Sequence, residues 1–211
     1  LKHLVIIGVG GFAREVFRYS MASRGYGEEW ILKGFLDGDV VLPDYEYEKL
    51  ELPLLGNVDD YELQPDDVFI CAIADSLVRK RLTDKIRQKG GHFINIISTS
   101  AIIHGNVRMG EGNIVCPFVN INDRSVVGDF VIFNVRSGIG HDSQVGSYTS
   151  FMGGAGLCGY AKIGKNSFMA TYSVALPHSQ IGDGCYIGAG SIVFKRVKDG
   201  QKVFGNPAMP I

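Results

Sequence analysis

The chain has 211 residues, 45% of them hydrophobic and 20% charged, with a formal net charge of −1 at pH 7. A near-neutral chain without a basic run is not built to hold nucleic acid or an anionic membrane surface. No apolar stretch reaches the roughly 20 residues of a membrane-spanning helix, so a cytoplasmic chain with no membrane partner is expected.

The apolar run Leu4-Val5-Ile6-Ile7 predicts a buried parallel strand. It passes straight into a glycine-rich turn, unlike a signal peptide. Gly8-Val9-Gly10-Gly11-Phe12-Ala13 forms that turn, and Ala13, Val16, Phe17, Ser20 and Met21 carry a helical stripe. Strand, glycine turn and helix open a nucleotide-binding βαβ unit, in which the helix N-terminus offers free N–H groups and partial positive charge to a phosphate. The spelling Gly8-x-Gly10-x-x-Ala13 also fits the dinucleotide fingerprint.

A second strand, from Trp30 to Leu36, ends at Asp37, whose carboxylate can accept from ribose or base groups. Gly38 and Asp39 open a loop, and Pro43 to Leu52 reads as an exposed polar insertion. Leu54 to Asn57, with Gly56 inside it, is a short strand and turn. Val68 to Ala74 is another buried strand. Asp75 and Ser76 cap a helix from Leu77 to Lys89, with Arg79, Lys80 and Arg81 on its wet side and Gly90-Gly91 as its stop. His92 to Ile97 is the last strand of this part. Residues 1–97 are therefore predicted to form a small, Rossmann-like parallel α/β domain. Only one half of a dinucleotide fold is present. A mononucleotide or sugar nucleotide is the expected ligand, with NAD or a purely structural turn as alternatives.

Residues 98–211 follow another rule. Read in sixes from Ile103 to Val193, the first residue of every hexad is apolar. The fifth is mostly small, as at Ser125, Ser143, Ala161 and Ser179. The second is often Gly, as at Gly110, Gly128, Gly140, Gly146, Gly164, Gly182 and Gly188. A period of six suits neither a helix nor an ordinary strand. It suits short strands and tight turns coiled three hexads to a turn, in which a large residue fills the interior, a small one lets the next wall close, and Gly takes a turn conformation. This is the pattern of an all-β parallel β-helix. After Gln201 the chain leaves the register, and Phe204-Gly205-Asn206-Pro207-Ala208 is a rigid terminal turn. Cys71, Cys116, Cys158 and Cys185 have no zinc or CxxC spacing and read as buried thiols.

The hexad Ile139-Gly140-His141-Asp142-Ser143-Gln144 places a histidine at a turn with a carboxylate beside it. Such a histidine can act as general base, with the carboxylate fixing its tautomer. Residues 18 apart stack, so Gly159 lies above His141 and Asp123 below it. The Gly159 N–H could face a developing oxyanion. Asn134, in the preceding hexad, is expected near the same edge. His104 and His178 do not stack on His141, which argues against a zinc site.

Together, Ile7-Gly8-Val9-Gly10-Gly11, Gly34-Phe35-Leu36-Asp37, Leu55-Gly56-Asn57, Gly140 to Gly146, Cys158 to Gly164 and Gly205-Asn206-Pro207-Ala208 resemble the sialic acid O-acetyltransferase and nucleotide-sugar N-acetyltransferase family, including the bacillosamine-pathway and perosamine N-acetyltransferases. The resemblance implies a left-handed β-helix and acetyl transfer from acetyl-CoA to an amine or hydroxyl of a sugar. It implies His141 as catalytic base, Asp142 and Asn134 as its supports, and Gly159 as oxyanion donor. Acetyl-CoA is expected in a groove between copies of a homotrimer, near Ser150, Thr171, Ala189, Gly205 and Pro207. The nucleotide-sugar contacts fall on Gly10, Gly11, Asp37 and Gly56, with Phe12 and Gly38 where relatives carry His and a second Asp. A UDP-linked 4-amino-4,6-dideoxy sugar is the expected acceptor. A sugar hydroxyl and a non-catalytic, sugar-nucleotide-binding scaffold are the alternatives.

Overall fold

The computed structural model describes residues 1–38 and 44–211, which divide into two compact units, Leu1–Thr99 and Ser100–Ile211. The expected loop opening at Asp39 and the start of the insertion at Pro43 lie outside the described residues.

In the first unit, β1 (Lys2–Ile7), β2 (Trp30–Asp37), β3 (Leu54–Asn57), β4 (Asp67–Cys71) and β5 (His92–Phe93) form one parallel sheet in the order β3-β2-β1-β4-β5. Leu4 to Ile7 and Phe69 to Cys71 are at most 1% exposed, which is why these strands read as continuous apolar runs. Helix α1 (Gly11–Met21) buries Ala13, Val16, Phe17 and Ser20, the stripe seen in the sequence. Helix α2 (Asp44–Tyr47) follows β2. Helix α3 (Ser76–Gln88) is capped by Asp75, whose carboxylate accepts from the amides of Leu77 and Val78 at 2.9 Å.

Arg79 is 1% exposed rather than wet, on the buried face of α3 with Leu82, Thr83 and Ile86. Its guanidinium donates to the carbonyls of Ile73 and Ala74 at 2.6 and 2.9 Å, so it satisfies the loop after β4 from inside.

The second unit is a β-solenoid with three walls of two-residue strands. The first wall runs from Ile102–Ile103 to Ile192–Val193 and the second from Arg108–Met109 to Arg196–Val197, with six strands each. The third includes the strands from Ile114–Val115 to Lys202–Phe204, the last of them three residues long, and ends in the antiparallel strand Met209–Pro210. Pairs such as Ile121↔Ile139 and Val127↔Val145 confirm the 18-residue rung. The inward residues Ile121, Phe133, Phe151, Met169, Ala175 and Ile187 are sealed, and Phe133 and Phe151 stack at 4.9 Å. The small fifth residues are buried too. Their hydroxyls bond corner carbonyls one rung on: Ser125 to Gly140, Ser143 to Cys158, Thr149 to Gly164 and Ser167 to Gly182. Serine is thus chosen both for size and to satisfy backbone inside a dry column.

Two details of the repeat differ from expectation. The second-position glycines are not the turn residues. Left-handed φ belongs to the fourth position, as at Arg124 (59°), Asp142 (57°), Tyr160 (61°) and His178 (64°). Glycine is needed at the second position because neighbouring rungs touch there. A Cβ on Gly140 would sit 2.4 Å from the Gly159 nitrogen, and one on Gly146 2.4 Å from the Lys165 nitrogen. The hexad after Val193 is also two residues short. Ile181 pairs with Val197 and Ile187 with Val203, so Val197 takes an inward wall position and the coil continues in a shifted register.

Candidate active site

Each rung contributes one corner between the first and second walls. At this corner two columns run side by side, Asp123-His141-Gly159 and Arg124-Asp142-Tyr160-His178. The amides of Asp142, Tyr160 and His178 donate to the carbonyls of Asp123, His141 and Gly159 at 3.0, 2.9 and 3.1 Å, which locks the register between rungs. His141 Nδ1 lies 2.9 Å from Asp142 Oδ2. A carboxylate there holds a proton on Nδ1 and leaves the Nε2 lone pair as the base. Nε2 is directed over Gly159, where a Cβ would approach it to 2.7 Å. The His141 side chain is 55% exposed and the Asp142 side chain 22%. The Tyr160 ring meets His141 edge-on at 5.0 Å and stacks on His178 at 4.9 Å.

The Gly159 N–H donates to no group among the described residues. At the corner between the second and third walls, amides at the same position in the hexad are taken by a side chain one rung on, as Asp129 N–H is by Ser147 Oγ and Lys165 N–H by Asp183 Oδ1. Pro177 occupies that place above Gly159 and offers no acceptor. The corner therefore carries an imidazole nitrogen against Gly159 and, on the same residue, an amide without a partner among the described residues, groups of the kinds that acyl transfer uses.

Asn134 lies elsewhere. It follows the third-wall strand Ile132–Phe133, one corner before His141, and its Oδ1 accepts from the Val135 amide at 2.7 Å. Thr171 and Ala189 share that earlier corner between third and first walls and are exposed. Thr171 lines a hollow of about 300 Å³ there with Phe118, Val135, Arg136, Gly153 and Tyr172. Gly205 (φ 103°) donates to Ser191 Oγ at 3.0 Å beside the exposed Pro207. Ser150, on the third wall, is buried at 1% exposure. The structure thus groups most of the expected coenzyme residues on one corner and the expected catalytic pair, His141 and Asp142, on another, at opposite edges of the first wall.

In the first unit the chain reverses across β1, so the crevice at the C-terminal ends of β1, β2 and β4 is the ligand position of an open α/β sheet. Gly8 is closed in, its absent Cβ facing the Ala72 carbonyl and Ile73 at 3.2 Å. Gly10 caps α1 with no side-chain hydrogen bond, and nothing lies within 4 Å of where its Cβ would stand. Gly56 is likewise open at φ 120°, and Gly11 begins the helix. Phe12 is half-buried. Asp37 Oδ1 accepts from Gly38 N–H at 2.7 Å and Oδ2 from Tyr47 Oη at 2.6 Å. The glycine loop, Asp37 and Gly56 therefore do gather at the strand ends, with Tyr47 an unforeseen partner.

The sequence also concealed a network on the strands that flank β1, around the N-terminal end of β4. Asp67, buried, accepts from Lys33 Nζ at 2.7 Å, Tyr61 Oη at 2.7 Å and the Gln64 amide at 2.9 Å. Burial pulls the Asp67 carboxyl upward, but the donors from Lys33, Tyr61 and Gln64 together hold it below its ordinary value. Burial pushes the Cys71 thiol up to about 12, which makes it inert. Among the described residues no cluster of three or more His, Cys, Asp or Glu could hold a metal ion, and no helix is long and apolar enough to cross a membrane.

A hexapeptide solenoid with an outward His–Asp pair defines the class of hexapeptide-repeat acyltransferases, and comparison with known proteins narrows it. The PglD N-terminal domain family matches residues 3–86, and the bacterial transferase hexapeptide family (six repeats) matches residues 160–195. GDP-perosamine N-acetyltransferase of Escherichia coli O157:H7 is 34% identical over 145 residues, 66% of this chain and 66% of that protein. The chain spans 31% to 47% of the UDP-N-acetylglucosamine O-acyltransferases and the UDP-3-O-acylglucosamine N-acyltransferase that it also matches. The acetyltransferase domain of PglB from Neisseria gonorrhoeae FA1090 superposes with TM-score 0.89 at 25% identity, covering 100% of both chains. PerB from Caulobacter crescentus, solved with CoA and GDP-perosamine, superposes with TM-score 0.87 at 29% identity, covering 100% of this chain and 98% of that one. The chain belongs to the PglD/perosamine N-acetyltransferase family of hexapeptide-repeat acyltransferases.

Proposed function

We propose that the chain transfers the acetyl group of acetyl-CoA to the amino group of a nucleotide-linked amino sugar, with His141 as general base. The observation that carries this reading is the corner geometry: His141 Nε2 over Gly159, Nδ1 tied to Asp142, and a Gly159 N–H without a partner among the described residues. The glycine loop and Asp37 crevice of the first unit supply the nucleotide-holding half. The solved Caulobacter relative holds CoA and GDP-perosamine together, which supports this pairing of substrates.

In this reading the sugar amine attacks the thioester carbonyl while Nε2 takes its proton. Asp142 stabilises the imidazolium that forms, and the Gly159 N–H stabilises the oxyanion. The protonated imidazole then gives its proton to the departing coenzyme A thiolate. Because Thr171 and Ala189 lie on a different corner from His141, a coenzyme touching both sets of residues lies between two copies of a homotrimer. We favour a UDP-linked 4-amino-4,6-dideoxy sugar as acceptor, with GDP-perosamine as the alternative that the relatives suggest.

The test is coenzyme A release from acetyl-CoA with each acceptor, using the parent and His141→Ala. Positioned base catalysis is worth about 10²–10⁴-fold, so the variant should lose at least about a hundredfold in kcat. Near-normal turnover would remove His141 from the mechanism. Turnover with a hydroxyl acceptor but neither amino sugar would replace N- by O-acetylation.

A further inference from the structure

We propose that Arg124 is a positioning residue for the His141–Asp142 pair: its guanidinium fixes the Asp142 carboxylate so that the second oxygen of that carboxylate holds the imidazole. The proposal deepens the acyl-transfer reading and rests on it for its kinetic consequence.

The register brings the two side chains together. Arg124 and Asp142 occupy the same left-handed corner position on adjacent rungs, with φ of 59° and 57°. Arg124 Nε lies 3.2 Å from Asp142 Oδ1, while Asp142 Oδ2 lies 2.9 Å from His141 Nδ1. The carboxylate is therefore a bridge, with each oxygen assigned to a different cation or donor. One competitor exists. Asp123 Oδ2 is 3.8 Å from the same Arg124 nitrogen, a longer and weaker approach. The other Asp123 oxygen accepts from Asn106 Nδ2 at 2.9 Å, which turns that carboxylate toward the rung below. Arg124 is thus left to Asp142.

The imidazole needs such support. More than half of the His141 side chain is exposed, and besides Asp142 its ring has the edge-on contact with Tyr160. The terminal torsion of an aspartate is broad and roughly two-fold. A carboxylate anchored only by its histidine could turn and take the ring with it. Arg124 is itself 65% exposed, so its ion pair adds little to fold stability. Its consequence lies in which direction Asp142 faces.

Two measurements on the full chain test this. The first is nitrogen-15 NMR of the His141 imidazole, assigned by its absence in His141→Gln, at a pH where the ring is neutral. The parent should hold the Nδ1–H tautomer. Arg124→Gln should shift a substantial fraction to Nε2–H, and Arg124→Lys should recover part of the parental signal. An unchanged tautomer ratio in Arg124→Gln overturns the proposal, whether or not the protein transfers acetyl groups. The second is a double-mutant cycle in kcat. Arg124→Gln should lower kcat about fivefold, the scale of an exposed ion pair, with KM for acetyl-CoA unchanged. In an Asp142→Asn background the same change should cost nothing further. An equal loss in both backgrounds means that Arg124 does not act through Asp142. A parent without transfer activity sinks the acetyltransferase reading but leaves the NMR result to decide the positioning role.

Discussion

Gly159 shows how a residue with no side chain can be the tightest constraint in a site. Its Cα faces the imidazole, and an added methyl would stand 2.7 Å from His141 Nε2 and 2.8 Å from Cε1. Contacts that short force the ring to move. We expect Gly159→Ala to lower kcat about a hundredfold, the cost of misplacing a reacting group by about an ångström, with the circular dichroism spectrum of the parent. Parental kcat would show that the ring has room to give, and that Nε2 need not sit over this glycine. His141 was visible in the sequence because it breaks the run of unremarkable corner residues, and Gly159 because the 18-residue rung stacks it there. Arg124 is equally fixed by that rung but carries no signal of its own, because a charged residue at an exposed turn is what any solvated corner shows. Tyr47 on Asp37 carried no comparable signal, because a hydrogen bond between a strand end and a short helix has no period to betray it.

At the scale of the element, the two halves of the chain were legible to different degrees. The solenoid strands were readable because each inward residue recurs at a fixed interval, and burial of that column is the main thing holding the coil. The reason for glycine at Gly140 and Gly146 was not readable, since close approach of successive rungs appears only once they are stacked. In the first unit, strands β1 and β4 were plain as apolar runs. Arg79 could have been recognised as buried, because it falls in phase with Leu82, Thr83 and Ile86 on one helical face. Charge alone suggested otherwise. The Asp67 network had no sequence signal, and it makes a pH prediction. Asp67 has a lowered value in the folded state, so its stabilising contribution is complete above the ordinary carboxylate value of 3.8 and is lost as pH falls below it. Asp67→Asn should cost about 1.5–3 kcal/mol near neutral pH, the worth of hydrogen bonds to a charged group. It should also flatten the loss of stability below about pH 4. Urea denaturation of both proteins from pH 7 to pH 3 gives the answer, and parallel losses in the acid range would relocate the acid-sensitive group.

At the scale of the whole molecule, the separation of the two corners decides how many copies one site requires. His141 lies between the first and second walls, and Thr171 between the third and first. If one acetyl-CoA uses both, they come from neighbouring subunits of the proposed trimer, and lesions at the two corners should complement. Thr171→Trp would fill the hollow of about 300 Å³ beside Tyr172 and should block the coenzyme, while His141→Ala removes the base. Each variant alone should be inactive. Co-expressed in equal amounts, they assemble at random, and a groove works only where an intact His141 from one copy meets an intact Thr171 corner from the next. Each of those two requirements is met with a chance of one in two, so the co-expressed population should recover roughly a quarter of parental turnover in a closed cyclic assembly. If both corners of a site came from one chain, every groove in the mixture would carry one lesion and no turnover would return. Recovery near a quarter therefore places the coenzyme between copies, and its absence returns the site to a single chain.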